Sequence, residues 1–90
     1  MDKKRLLQLK RQSHALKPVV ILGGNGLTER VQQEIDNALE SHELIKIRVN
    51  AASKIERQQI IDAICQRQRA TLINQIGHII AIYRKSSTSR

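Results

Sequence analysis

The chain is nearly devoid of aromatic side chains: Tyr83 stands alone among 90 residues, with no Phe and no Trp. A protein that holds single-stranded nucleic acid by stacking needs several exposed rings, so that mode is excluded, together with sheet platforms built on two aromatic motifs. Cysteine is equally scarce. Cys65 has no second thiol to pair with, which excludes an internal disulfide and a Cys-rich zinc site and fits a reduced, cytosolic setting. No apolar run exceeds five residues, too short for a membrane span or for the apolar stretch of a secretory leader. With 40% apolar residues the chain is not wholly disordered. A single domain of this size buries only roughly 60–68% of its unfolded surface, so its core is small.

What is abundant is positive charge. Sixteen Lys and Arg against eight Asp and Glu leave a net charge of +8, and the isoelectric point is near 10.4. Such an excess favours a polyanionic partner: RNA, DNA or an acidic membrane surface. The excess is uneven. Residues 1–17 carry Lys3, Lys4, Arg5, Lys10, Arg11 and Lys17 against Asp2, and residues 84–90 carry Arg84, Lys85 and Arg90 with no acid. Residues 18–83 balance seven bases with seven acids. Attraction is therefore expected where the two terminal segments land. Basic ends also keep a chain soluble, but solubility needs no pattern, and the first segment is patterned.

In that segment Leu6, Leu9, Ser13 and Leu16 recur at helical spacing, with Leu7 beside them, so residues 3–15 read as a helix stopped by Lys17-Pro18. Val19-Val20-Ile21-Leu22 is an unbroken aliphatic run, expected to form a strand buried on both faces. Residues 28–41 read as a second helix with Val31, Ile35, Ala38 and Leu39 inward, Thr28 as N-cap and Glu29 in the first turn. Leu44 to Val49 alternates, placing Ile45, Ile47 and Val49 on one face and Lys46 and Arg48 on the other. Ser53-Lys54-Ile55-Glu56 is a capping box that opens a third helix, whose apolar stripe is Ile60, Ile61, Ile64 and Cys65. Residues 71–76 and 79–83 read as a hairpin about Gly77-His78. The order α-β-α-β-α-β-β implies parallel pairing of the first three strands and an antiparallel final pair. The fold class is α/β: a mixed four-stranded sheet packed with three helices. The domain spans residues 1–85, and the serine-rich residues 86–90 are expected to be a disordered tail.

Gly23-Gly24-Asn25-Gly26, between the first strand and the second helix, is the one glycine cluster. Glycines permit positive φ and remove side chains, so a phosphate can approach the backbone N–H groups. The helix start that follows offers unpaired N–H groups and the positive end of its dipole. The loop thus suits a sugar-phosphate backbone, as a GxxG loop does in KH domains. It lacks the Lys of a Walker loop, and residue 29 is Glu where a dinucleotide fingerprint needs its last Gly. A plain strand-to-helix turn remains the other reading. Glu29, Glu34, Asp36 and Glu40 would repel RNA from much of the second helix, leaving Asn25, Thr28 and Arg30 to help the loop.

The run Leu16-Lys17-Pro18-Val19-Val20-Ile21-Leu22-Gly23-Gly24-Asn25-Gly26-Leu27-Thr28, followed by His42-Glu43-Leu44-Ile45-Lys46-Ile47, closely resembles the CRM domain family, and within it the stand-alone bacterial YhbY type. The resemblance runs from about residue 3 to residue 84. Gly24 departs from it, standing where many members have a basic or polar residue. The resemblance implies an RNA-binding domain similar in fold to the C-terminal domain of a bacterial translation initiation factor. It also implies association with precursors of the large ribosomal subunit, as for bacterial members; plant organellar relatives act in group II intron splicing. Carried over, Gly23 to Gly26 becomes the RNA-backbone loop, the basic first helix its neighbour on the binding face, and Pro18 and Leu27 framework residues.

The remaining polar residues carry less. His14, His42 and His78 with Cys65 match no zinc spacing, so no metal and no cofactor is expected. No carboxylate pair or Cys–His pair suggests a catalytic set, so the chain is read as a non-enzyme. Lys46 and Arg48 are a second phosphate contact or a solvated strand face; Tyr83 stacks on a base or packs at a strand end. Together these features describe a monomeric cytoplasmic protein, its neutral body offering no evident dimer patch. The family resemblance implies further that it binds rRNA of large-subunit precursors and assists ribosome assembly. Gly23, Gly24, Asn25, Gly26, Thr28 and Arg30 hold the backbone, and Lys10, Arg11 and Lys17 supply the attraction. Readout is by shape rather than by base identity. The alternatives are a protein-docking adaptor on the ribosome, a small enzyme using the glycine loop for a phosphorylated substrate, or a DNA-binding variant.

Overall fold

The computed structural model describes residues 1–87. Its elements are α1 (Lys3–Ser13), β1 (Pro18–Leu22), α2 (Glu29–His42), β2 (Leu44–Val49), α3 (Lys54–Gln68), β3 (Thr71–Ile76) and β4 (Ile79–Tyr83). Each helix begins on a side-chain cap. Asp2 accepts the Arg5 amide at 2.7 Å, Thr28 the Val31 amide at 3.2 Å and Ser53 the Glu56 amide at 3.1 Å. The four strands form one sheet in the order β1-β2-β4-β3, with β1 parallel to β2 and the other two pairs antiparallel.

This topology corrects one expectation. β3 runs in the same direction as β2 but does not pair with it, because β4 turns back at Gly77-His78 and inserts between them. The strand best able to be buried on both faces takes the centre. Ile80, Ala81 and Ile82 of β4 are all buried, whereas β3 carries Thr71, Asn74 and Gln75 and lies at the edge.

α2 and α3 cover one face. Ile35 and Leu39 of α2 and Ile61 and Ile64 of α3 pack on Val20, Leu22, Ile45, Ile47, Val49, Ile80 and Ile82. Each such side chain contributes about 1.5–3 kcal/mol on burial, so this is the main core. The other face has only α1, whose Leu9 is buried on Leu44, Ile73 and Ala81, with Leu6 and Tyr83 at the rim. Arg5 lies over the Tyr83 ring, 5.4 Å from its centroid, so Tyr83 packs at the strand end.

β1 is a second correction. Val20 and Leu22 face the core, but Val19 and Ile21 are 54% and 62% exposed. It is an edge strand with one open face, although its composition matches a strand of a fully covered sheet. α1 is also shorter than expected. It ends at Ser13, whose hydroxyl bonds back to the Lys10 carbonyl at 2.7 Å, and residues 14–17 turn into β1.

A polar clamp closes the α2–α3 side. Gln68 is buried at the end of α3 and donates its amide to the carbonyl and side-chain oxygens of buried Gln32, at 2.9 and 2.7 Å. Arg84, just past β4 and only 18% exposed at its side chain, donates to both oxygens of Gln68 and to Asp36 and Glu40. The chain continues onto α2. Ser86 donates its amide to Glu43 at 2.8 Å, and Ser87 donates its hydroxyl to Glu40 at 2.6 Å. The disordered tail expected from residue 86 thus does not begin there, and residues 88–90 lie outside the described residues.

Removing this guanidinium leaves Gln68 and two carboxylates without a shared donor. Arg84→Ala is expected to cost about 2 kcal/mol, read as a lower urea midpoint at unchanged slope. The clamp also carries a pH signature. Hydrogen bonds from the Ser87 hydroxyl and amide, more than the Arg84 charge, hold the Glu40 carboxyl below its ordinary value against the opposing effect of burial. A carboxylate lowered by folding stabilises the fold above the unfolded value, about 4.3. That contribution is lost as pH falls through the folded value. Urea midpoints of the wild type and of Glu40→Gln should therefore differ at pH 7 and converge as pH falls from about 5 to about 3.

Candidate nucleic-acid interface

The glycine loop is a tight turn at the end of β1. The Gly26 amide donates to the Gly23 carbonyl at 3.1 Å, and Gly26 sits at φ +70°, a conformation that side chains disfavour. Gly23 and Gly24 are different. A Cβ on either would meet no atom within 4 Å, so internal packing does not require glycine there. Asn25 is exposed at the tip. Thr28 spends its hydroxyl oxygen on the Val31 amide, and the first intrahelical bond runs from the Gln32 amide to the Thr28 carbonyl. The amides of Glu29 and Arg30 therefore precede the helical ladder and stand at the positive end of α2.

Two acids near this loop are neutralised by partners. Glu29 takes a two-pronged ion pair from Arg67 at the end of α3, one prong at 3.0 Å. That contact, hydrogen bond first and charge second, holds the Glu29 carboxyl below its usual value and raises the Arg67 guanidinium above its own. The pair is exposed and adds little stability, but it cancels the charge that would meet a phosphate beside the loop. Arg67 thus has a partner as well as a place at the helix end. Arg30 lies 3.9 Å from Glu34 along its own helix and is not brought onto the sheet face.

The other sequence-read bases lie on the α1 side. Arg48 pairs in register with Ile21 and Lys46 with Pro18. Arg48 donates to the Asn50 side chain at 3.3 Å, and Asn50 donates to the Leu22 carbonyl at 3.3 Å, so a short polar chain ties this base to the start of the glycine loop. Asn50 was not singled out from sequence; its only signal is a polar residue directly after an alternating strand. At the opposite end, Lys17 and Lys46 line one cleft of about 480 Å³ between the turn after α1 and the starts of β1 and β2. Gln12, Leu16, Val19 and His42 share its walls. Arg11 is exposed and Lys10 half-buried on α1. The open surface between α1 and the loop carries Val19, Ile21, Lys46, Arg48 and Ile76, the last 67% exposed.

The acids are sorted by side. Seven of the eight acids lie on α2, at its end (Glu43), or on α3; the eighth, Asp2, caps α1. Cys65 is half-buried on α3, and burial, then Asp62, raises its thiol above the ordinary value, which suits a packing residue and not a nucleophile. Among the described residues no group of His, Cys, Asp or Glu is arranged to hold a metal ion, and no helix is long and apolar enough to cross a membrane.

Comparison with known proteins adds the family. The CRS1 / YhbY (CRM) domain model matches residues 1–84. A Haemophilus influenzae protein named RNA-binding protein is 50% identical over 82 residues, covering 91% of this chain and 83% of that one. A Pseudomonas aeruginosa protein that bears the name probable RNA-binding protein is 42% identical over 79 residues, 88% of this chain and 76% of that one. The solution structure of a Staphylococcus aureus protein superposes with a TM-score of 0.83 at 28% identity, over all of this chain and 94% of that one.

The loop geometry separates its glycines. Gly26→Ala is expected to cost about 1 kcal/mol because it forces a side chain into the left-handed region. Gly24→Ala should stay within about 0.5 kcal/mol of the wild type. Urea melts of the two variants check this.

Proposed function

Because the chain belongs to the CRS1 / YhbY (CRM) domain family, we propose that it binds RNA on the side of the sheet that carries α1, bounded by that helix and the glycine loop. The observation that carries this reading is the confinement of acidic charge to the opposite side. A middle segment with no net charge presents Lys46 and Arg48 beside basic α1, while its acids sit on the helices of the opposite face. Gly23 and Gly24 leave room for a phosphate against the backbone, and the amides of Glu29 and Arg30 are placed to receive it. Asn25 and the Thr28 hydroxyl hydrogen add donors. Lys10, Arg11 and Lys17 provide long-range attraction, and Arg48, anchored through Asn50, meets the strand next to the loop. The mechanism is non-catalytic. With one half-buried ring and no aromatic platform, recognition rests on backbone shape.

On the strength of the family resemblance we assign the RNA to large-subunit ribosomal precursors and the protein, as a monomer, to their assembly in the cytoplasm. A second reading, docking of a ribosomal protein on the same side, is favoured by exposed Ile21 and Ile76. Sedimentation with pre-ribosomal particles before and after nuclease separates the two, since only the protein-docked complex survives RNA removal.

Binding of a structured rRNA fragment against salt tests the face itself. Replacing Lys10, Arg11 and Lys17 by Ala should make the log–log salt slope shallower by about two to three. Gly23→Glu with Gly24→Glu should abolish binding while the urea midpoint holds, because a Cβ at either position meets no neighbour and neither has the positive φ that a side chain disfavours. An unchanged slope together with intact binding in the glycine variant would move the interface off this side.

A further inference from the structure

The cleft between the turn after α1 and the start of the sheet is roomier than the hollow of about 150 Å³ beside Lys46, Asn74 and Ile76 on the same side. It is concave, and its volume of about 480 Å³ falls in the range of roughly 300–1,000 Å³ typical of small-ligand sites. Ala15, Leu16, Val19 and Leu44 supply apolar walls. Its polar groups are Gln12, Lys17, His42 and Lys46, with no carboxylate among them. Such a lining suits an anion attached to a flat, mainly apolar body that has donors and acceptors on its edge.

Resting on the reading of this side as an RNA-binding face, we infer that the cleft takes one unpaired nucleotide extruded from a structured RNA. The base lies against Leu16, Val19 and Leu44, with Gln12 able to both donate to and accept from its edge. The two ammonium groups of Lys17 and Lys46 meet the flanking phosphates. A base displaced from its stack needs an apolar surface to replace its lost neighbours. In a chain with one ring, already engaged by Arg5, aliphatic walls are what is available. Backbone contacts at the loop then set where the RNA lies, and the cleft selects RNA that has a nucleotide to offer at the other end of the face. Charge decides against an apolar protein side chain as occupant, since two lysines at one small cleft would meet nothing in it.

The test compares three RNA hairpins of equal stem length: fully paired, with one bulged adenosine, and with the same bulge abasic. The wild type should bind the adenosine bulge about tenfold tighter than either of the others. The abasic bulge retains the stem's flexibility and phosphates, so the difference isolates the base. Ala15→Phe, at an exposed turn position, fills the cleft and should erase the preference while affinity for the paired stem stays within about twofold. An independent readout on the wild type guards against a misfolded variant. Amide shift differences between the adenosine-bulge and abasic complexes should cluster at residues 12–19 and 42–46. Equal affinity for all three hairpins overturns the inference, leaves the RNA-binding reading standing, and returns the cleft to a protein side chain. So does a preference that survives Ala15→Phe, or shift differences confined to residues 23–28. Failure to bind any hairpin overturns the RNA-binding reading itself.

Discussion

An eleven-residue helix cannot cover one face of a four-stranded sheet. At about 1.5 Å per residue α1 is about 16 Å long and about 10 Å wide. Strands about 4.8 Å apart, with about 3.3 Å per residue, present a face about 19 Å by 18 Å. The opposite face meets two helices of 14 and 15 residues and is closed. The α1 side is therefore half closed, and the geometry decides which half. Leu9 reaches Leu44 at the start of β2, Ile73 within β3 and Ala81 at the middle of β4. What remains open is the half next to the glycine loop, with Ile21, Arg48 and Ile76, and the corner by β1, with Val19 and Lys46. Exposed aliphatics beside two bases on one sheet face follow from a helix too short to hide them.

The same two-sidedness explains how a segment without net charge can face a polyanion. Like charges on one surface are costly unless paired. The acids of α2 sit where Arg67 and Arg84 reach them from α3 and from the chain after β4. Arg84 counts toward the basic C-terminal segment when charges are totalled along the sequence, yet it is consumed internally. Arg5 is likewise turned onto Tyr83. Of the bases left to act outward, Lys46, Arg48 and those of α1 share one side, while Lys54, Arg57 and Arg69 lie on α3 or at its end. Net charge measures the potential for attraction; the ion pairs decide where it is expressed.

Much of the architecture was legible because it rests on local rules. The Thr28 and Ser53 caps, the alternation from Leu44 to Val49 and the hairpin at Gly77-His78 each depend on neighbours within a few residues. What was not legible depends on residues far apart. β1 looks like a buried strand because Val19 and Ile21 are aliphatic, but whether a helix covers them is settled by the length of α1 and its docking on β3 and β4. The place of the hairpin turned on β4 being more apolar than β3, a comparison between strands and not within one. Gln32 and Gln68 carry no mark in the sequence, and the fold brings them across 36 positions to bond to each other. Among site residues, the sequence singled out the loop and the bases individually. That Lys17 and Lys46 share a cleft, and that Asn50 links Arg48 to the loop, are tertiary facts without a periodic trace.

The glycine loop shows how conformation and contact can be told apart. Gly26 has a reason inside the fold: its φ of +70° closes the turn onto the Gly23 carbonyl, and an L side chain would strain it. Gly23 and Gly24 have no such reason, since neither has positive φ and a Cβ on either would touch nothing. Glycine at a position that could hold a side chain costs conformational entropy on folding, up to about 1 kcal/mol each relative to alanine. No packing contact at either position requires glycine. Both positions lie in the turn between β1 and α2, where Glu29 is paired with Arg67. On the proposed RNA-binding reading, a backbone left bare at Gly23 and Gly24 is one that a phosphate can touch.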